Sequence, residues 1–170
     1  LEYTHGTQRL HTAYSFLLLG DALSADALDL VMAPWQQGEG VLSWPSWAMS
    51  NHDTLRIASR WAHGNPTRIR QLLALLLTLR GTVFVYQGEE LGLAESDIRF
   101  EQLQDPYGKA HWPRNKGRDG CRTPMPWLRD ATNAGFSTVE PWLPVNPAHQ
   151  SDAVDVQEKD ADSCLNLTRR

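Results

Sequence analysis

The chain has 170 residues, 41% apolar and 21% charged, with a formal net charge of −4. This balance suits one ordinary domain, or a piece of a larger one, that buries a core, and it excludes a chain disordered by composition. No block of Lys/Arg marks a nucleic-acid or membrane-surface partner, and the apolar run "QLLALLLTLRGT" is too short and interrupted to cross a bilayer.

The first element is the mixed aromatic and aliphatic run "RLHTAYSFLLL" at 9–19, read as a buried strand, although periodicity alone also allows a helix. Ser24 then caps a helix whose Leu28, Val31, Met32 and Trp35 fall on one face, with Gly38 as its stop. The run "VLSWPSWAM" is broken by Pro45, which leaves a strand at 46–50. Asn65 as N-cap and Pro66 at the first helical position open a helix with an Ile69, Leu72, Leu73, Leu76 face, closed by Gly81. The continuous apolar run "TVFVY" at 82–86 predicts a strand buried on both faces.

Strand, helix, strand, helix, strand is the rhythm of parallel βαβ units, whose sites form at the C-terminal ends of strands. From Ser96 to Gln150 the rhythm stops; this stretch holds Pro106, Pro113, Pro124, Pro126, Pro141, Pro144 and Pro147. Long irregular segments of this kind are usually lids or binding loops. A last helix is expected from about Asp160. The chain opens on Leu1 rather than Met and ends on "LNLTRR" inside that helix, so we expect a piece of a longer protein; the lack of a signal peptide carries no information. Cys121 and Cys164 are far apart and form no C-x-x-C motif. A pairing stays open, but a reduced, cytosolic state is the preferred reading.

Four constellations carry chemistry. Asn51-His52-Asp53 follows the second strand. A carboxylate there can accept from two neighbouring hydroxyls, an imidazole can donate to the same oxygens, and an anion would stabilise positive charge developing at C1 of a sugar. The plainer alternative is that Asp53 caps the next turn while His52 packs beneath it. One His and one Asp are too few for a metal. Glu89 and Glu90 are adjacent, and side chains adjacent in an extended segment point opposite ways, so a structural or rim role is expected. In "GRDGCRTPMPW" at 117–127, Arg118 and Arg122 either clamp a hydroxylated or anionic ligand or form an internal Arg–Asp staple; the residues alone do not decide. Of the tryptophans, Trp35 is core, while Trp112, Trp127 and Trp142 are loop candidates for stacking on sugar.

Together these stretches resemble the α-amylase superfamily, glycoside hydrolase family 13, most closely its α-glucosidase and oligo-1,6-glucosidase branch. "RLHTAYSFLLL", "WAMSNHDTLR" and "GTVFVYQGEELGL" look like that branch's sixth, seventh and eighth barrel strands, and "GRDGCRTPMPW" is similar to the signature of the loop beyond. The resemblance implies α/β architecture: residues 1–170 as the last third of a (β/α)8 barrel, about strand six to helix eight, with 96–150 as a long substrate-capping loop region within it. It implies that Asp53 binds the 2- and 3-hydroxyls of the sugar in subsite −1 and stabilises the transition state, and that His52, beside Asn51, hydrogen-bonds the same ring. An arginine of the loop would recognise the non-reducing-end glucose, Arg122 before Arg118. Arg56 would orient Asp53 or line the neighbouring subsite.

The family's nucleophile and acid/base are expected before Leu1, because Asp21, Asp26, Glu39, Glu89 and Glu90 do not stand in the family's contexts for them. The implied parent is a retaining α-glucosidase acting on oligosaccharides or disaccharides, without a cofactor and cytoplasmic by default, and the 170 residues alone are expected to be inactive. The alternatives are a transglycosylase or isomerase of the same branch, acting on sucrose or trehalose, and a non-catalytic scaffold member of the fold.

Overall fold

The structure, a computed structural model, describes residues 2–37 and 43–170. Helix α1 (Ala25–Gln36) begins where Ser24 directs, the Ser24 Oγ accepting from the Ala27 N–H at 3.0 Å. This satisfies one of the N–H groups that a first turn leaves free. Leu28, Val31, Met32 and Trp35 lie half-buried against the main core, while Leu30 faces solvent. The stop assigned to Gly38 lies outside the described residues, as do Glu39, Val41 and Leu42.

Strands β1 (Ser46–Ala48) and β2 (Thr82–Phe84) pair in parallel, with Ser46 opposite Thr82 and Ala48 opposite Phe84. Parallel neighbours need a crossover, and α2 (Ile57–Arg60) with α3 (Pro66–Thr78) supplies it. Asn65 Oδ1 accepts from the Arg68 N–H at 3.1 Å and Pro66 occupies the first turn, so the local signals place the start of α3. Its Ile69, Leu72, Leu73 and Leu76 are all buried, each such side chain contributing roughly 1.5–3 kcal/mol. They pack on Trp47, Met49, Ile57, Ala58 and Trp61 as one core.

Gly81 is not the helix stop: α3 ends at Thr78, with Leu79 already extended. Gly81 serves the strand instead. At φ +143° a Cβ there would sit 2.7 Å from Pro45 O and 2.8 Å from Trp47 Nε1, so only glycine lets β2 enter beside β1.

Two expectations need correction. Residues 9–19 form no strand; Leu10, Phe16 and Leu17 are 61%, 71% and 54% exposed, and only Leu18 is buried. The segment does lie beside β1, since the Ser46 hydroxyl donates to Ala13 O and Arg60 donates to the carbonyls of Leu18, Gly20 and Met49. Side chains make these ties, and no backbone ladder among the described residues pairs the segment with β1; without a ladder, apolar composition does not make a strand. The second correction concerns β2, which is not buried on both faces. Phe84 and Val85 are 41% and 40% exposed, and the Phe84 ring meets the Tyr14 ring edge-on at 5.2 Å. Among the described residues that face has no covering layer.

Beyond β2 the chain is irregular but anchored. The Glu95 N–H donates to Ser59 Oγ at 2.8 Å, the Ser96 N–H to Gly120 O at 3.1 Å, and His149 Nε2 meets Ala94 O at 2.9 Å. Short helices α4 (Pro106–His111), α5 (Pro147–Gln150) and α6 (Val154–Gln157) punctuate this part. Helix α7 (Cys164–Arg169) then packs back on α3. A second small core of Leu91, Leu93, Met125 and Leu165 joins the residues after β2 to α7.

Candidate active site

The turn after β1 is built by Asn51, whose Oδ1 accepts from the Asp53 N–H at 2.9 Å, while Ser50 Oγ accepts from the Ile57 N–H at 3.0 Å. This Asx-type turn throws the next two side chains outward: His52 and Asp53 are 69% and 49% exposed. His52 therefore does not pack beneath a capping Asp53. The imidazole Nε2 stands 3.4 Å from Asp53 Oδ2.

The other carboxylate oxygen is shared by both loop arginines. Asp53 Oδ1 accepts from Arg118 Nη1 at 3.0 Å and from Arg122 Nη2 at 2.9 Å. Arg122 also donates through Nε to His52 O at 2.7 Å, so its fork grips backbone and side chain of the same turn. The structure thus brings Asn51, His52, Asp53, Arg118 and Arg122 together.

Arg118 is a staple as well as a site group, and its partner is Asp105, which sequence reasoning missed. Arg118 Nε and Nη2 donate to Asp105 Oδ2 and Oδ1 at 2.8 and 3.0 Å, and the Arg118 N–H adds a third bond at 2.9 Å. Hydrogen bonds from Arg118 hold the fully buried Asp105 carboxyl well below the usual carboxylate range. Asp119, the acid within the "GRDGCR" stretch, is also fully buried, and its Oδ2 accepts from the Gln104 and Asp105 N–H groups at 2.6 and 2.8 Å. The one signal for Asp105 in the sequence was Asp-Pro at a helix start, and its Oδ1 does cap α4 through the Tyr107 N–H. Nothing local pointed to Arg118.

Arg56 does not join this cluster. It is 2% exposed, and its Nη1 and Nη2 donate to Gln87 O at 2.7 Å and Cys121 O at 2.9 Å rather than to Asp53. Its guanidinium lies 5.5 Å over the Tyr86 ring. Arg56 thus clamps the ends of β1 and β2 and the irregular segment behind the site. Gly88, at φ +83°, makes room for it, since a Cβ there would meet Arg56 Nη1 at 2.8 Å.

Gln87 to Gly92 is a turn rather than extended chain. Glu89 is buried, its Oε2 accepting from the Tyr86 N–H at 3.1 Å. Burial raises its carboxyl to about 7, only partly offset by bonds from the Ser50 hydroxyl and the Tyr86 N–H.

A cavity of about 890 Å³ opens beside Asp53, lined among others by Thr54, Leu55, Tyr107, Lys116 and Arg118. None of Trp112, Trp127 and Trp142 lines it. Trp112 packs on Phe100 at 5.7 Å, and Trp127 and Trp142 are 49% and 64% exposed. Among the described residues, no group of three or more His, Cys, Asp or Glu side chains converges as a metal site. None of the described helices is long and apolar enough to cross a membrane.

Residues 9–170 match the family described as Alpha amylase, catalytic domain. A probable alpha-glucosidase of Rhizobium meliloti is 46% identical over 99% of this chain and 31% of its own length. An oligo-1,6-glucosidase of Heyndrickxia coagulans is 33% identical over 80% of this chain and 28% of its own. Among solved structures, the alpha-glucosyl transfer enzyme XgtA superposes with a TM-score of 0.85 at 48% identity, covering 95% of this chain and 30% of that one. An isomaltulose synthase mutant from Erwinia rhapontici gives 0.81 at 25% identity, over 95% and 34%. The chain therefore spans about a third of the length of the proteins it matches. Its fold is the last third of a (β/α)8 barrel, with a long irregular stretch after the eighth strand, which is β2. By sequence match and by superposition, the chain belongs to the alpha-amylase catalytic-domain family.

Proposed function

We propose that this chain supplies the sugar-holding part of a retaining α-glucosidase that releases terminal α-linked glucose from short oligosaccharides or disaccharides. The observation that carries the reading is Asp53, half-exposed at the C-terminal end of a barrel strand, with Oδ1 on two guanidinium groups and Oδ2 facing His52. In that setting the carboxylate is fixed in direction. It can accept from adjacent ring hydroxyls and oppose the positive charge of an oxocarbenium-like transition state. Arg122 is the residue we assign to the non-reducing-end glucose, because Asp105 already occupies most of the Arg118 fork.

Double displacement also needs a nucleophile and an acid/base. We assign neither to residues 1–170, so these residues alone are read as inactive. The free thiols of Cys121 and Cys164 accord with a reducing compartment, and we read the parent protein as cytoplasmic.

A second reading, transfer of glucosyl units or isomerisation of sucrose, draws support from the similarity to an alpha-glucosyl transfer enzyme and an isomaltulose synthase. A scaffold without catalysis is disfavoured by the intact His52, Asp53 and Arg122 set. Incubation of the full-length protein with maltose and with sucrose, followed by NMR of the products, separates the readings. Release of glucose first as the α-anomer supports the retaining hydrolase. A new disaccharide supports transfer or isomerisation, and β-glucose as first product contradicts both.

A further inference from the structure

We infer that Asp105 is a positioning residue for the Asp53 site, acting through Arg118. The inference rests on the reading of Asp53 given above and extends it to a buried carboxylate outside the cavity wall. Asp105 presents both oxygens to Arg118: Oδ2 to Nε at 2.8 Å and Oδ1 to Nη2 at 3.0 Å. A bidentate pair fixes the plane of the guanidinium. In that plane Nη1 is the nitrogen left over, and it points at Asp53 Oδ1, 3.0 Å away.

The anchor is itself anchored. Asp119 Oδ2 holds the Asp105 N–H at 2.8 Å, so two fully buried carboxylates stand in series behind one half-exposed arginine. The approach is close enough to require glycine: at Gly117, φ +75°, a Cβ would lie 2.8 Å from Asp105 Oδ2 and 2.8 Å from Gly108 Cα.

The consequence falls on Asp53. With Arg118 locked by Asp105 and Arg122 locked on His52 O, both hold the same oxygen, Oδ1. Oδ2, 3.4 Å from His52 Nε2, remains the oxygen free to accept from a sugar hydroxyl. Asp105 thereby sets which face of the Asp53 carboxylate meets the substrate without touching it.

Asp105 also caps α4 through the Tyr107 N–H, and that structural role is separable. Asparagine caps a helix about as well as aspartate, but it offers one acceptor and turns an NH2 group toward the arginine fork. Asp105→Asn therefore keeps the cap and breaks the fork. The test is a double-mutant cycle in the full-length protein, with Asp105→Asn, Arg118→Met and the pair assayed on p-nitrophenyl α-glucoside, and Asp53→Asn as control. Each single variant should lower kcat by about 10- to 100-fold, as small misplacements of catalytic geometry do, with a smaller change in KM. The pair should be no worse than Arg118→Met alone.

Additive losses, or wild-type kinetics for Asp105→Asn, overturn the inference. Wild-type activity of Asp53→Asn would instead sink the reading of Asp53 itself. Should Asp105→Asn fail to fold, Arg118→Lys carries the test: a point charge cannot span both carboxylates, so the same fall in kcat is expected and an undiminished kcat overturns it.

Discussion

Arg122 and Asp53 are joined by a bond of 2.9 Å between Nη2 and Oδ1, while Nε of the same guanidinium holds His52 O at 2.7 Å. The grip depends on a planar fork, which lysine lacks. Arg122→Lys in the full-length protein should lower kcat/KM for an aryl α-glucoside about 10- to 100-fold. Its thermal midpoint should barely move, because the side chain is a partly exposed rim group. Steady-state kinetics alongside a thermal melt checks both halves, and an unchanged kcat/KM would remove Arg122 from the site.

Arg56 gives the opposite pattern. Its removal takes the Arg56 donor from Gln87 O, while Cys121 O keeps the Tyr86 hydroxyl at 3.1 Å. An orphaned buried acceptor costs about 1–3 kcal/mol, so Arg56→Met should destabilise by about that much. Urea unfolding measures this loss. A change of less than about 0.5 kcal/mol would show that Arg56 clamps nothing, since surface substitutions fall in that range.

Glu89 should make stability fall as pH rises. Burial raises its carboxyl from 4.5 to about 7, so the folded state holds this proton more tightly than the unfolded chain. The contribution is complete below 4.5 and is lost as pH climbs through about 7, an effect of about 3 kcal/mol at most. His149 works the other way, because burial lowers its imidazole from 6.5 to about 4, so its contribution is lost as pH falls through that window. The two slopes oppose each other in wild type, and a single variant separates them. Glu89→Gln should match wild type near pH 5 and exceed it near pH 8 in urea unfolding. A variant less stable than wild type at pH 8 would mean that the charged carboxylate is the native form.

These residues also mark what was legible in the sequence. The start of α3 was readable because Asn65 and Pro66 act within one turn, through the Asn65 cap of the Arg68 N–H. The strand read over 9–19 depended on a ladder made elsewhere, and composition alone cannot supply one. Asn51, His52 and Asp53 were placed by the turn after β1, and their motif carried the family resemblance. Arg56, three residues on, looked like part of the same site; the Asx turn separates the exposed group from the buried one. Asp105 meets Arg118 from 13 positions away, across α4 and the loop after it, where no periodicity links partners.

The uncovered apolar faces set the behaviour of the 170 residues by themselves. Phe84 on β2 and Val85 just beyond it, with Phe16 at 71% exposure beside Tyr14, form a surface that invites association. The isolated chain should bind a hydrophobic dye and melt without a cooperative transition, whereas the full-length protein melts sharply. A sharp, reversible melt of the 170-residue chain would contradict this.

Asp53 is the residue we propose as stabiliser of the transition state of glucoside hydrolysis. Its most direct test compares wild-type and Asp53→Asn full-length protein on p-nitrophenyl α-glucoside, with circular dichroism to confirm that both are folded. A fall in kcat of about 100-fold or more is expected for Asp53→Asn, the scale on which an electrostatic stabiliser acts. A folded Asp53→Asn protein that turns over at the wild-type rate would contradict it.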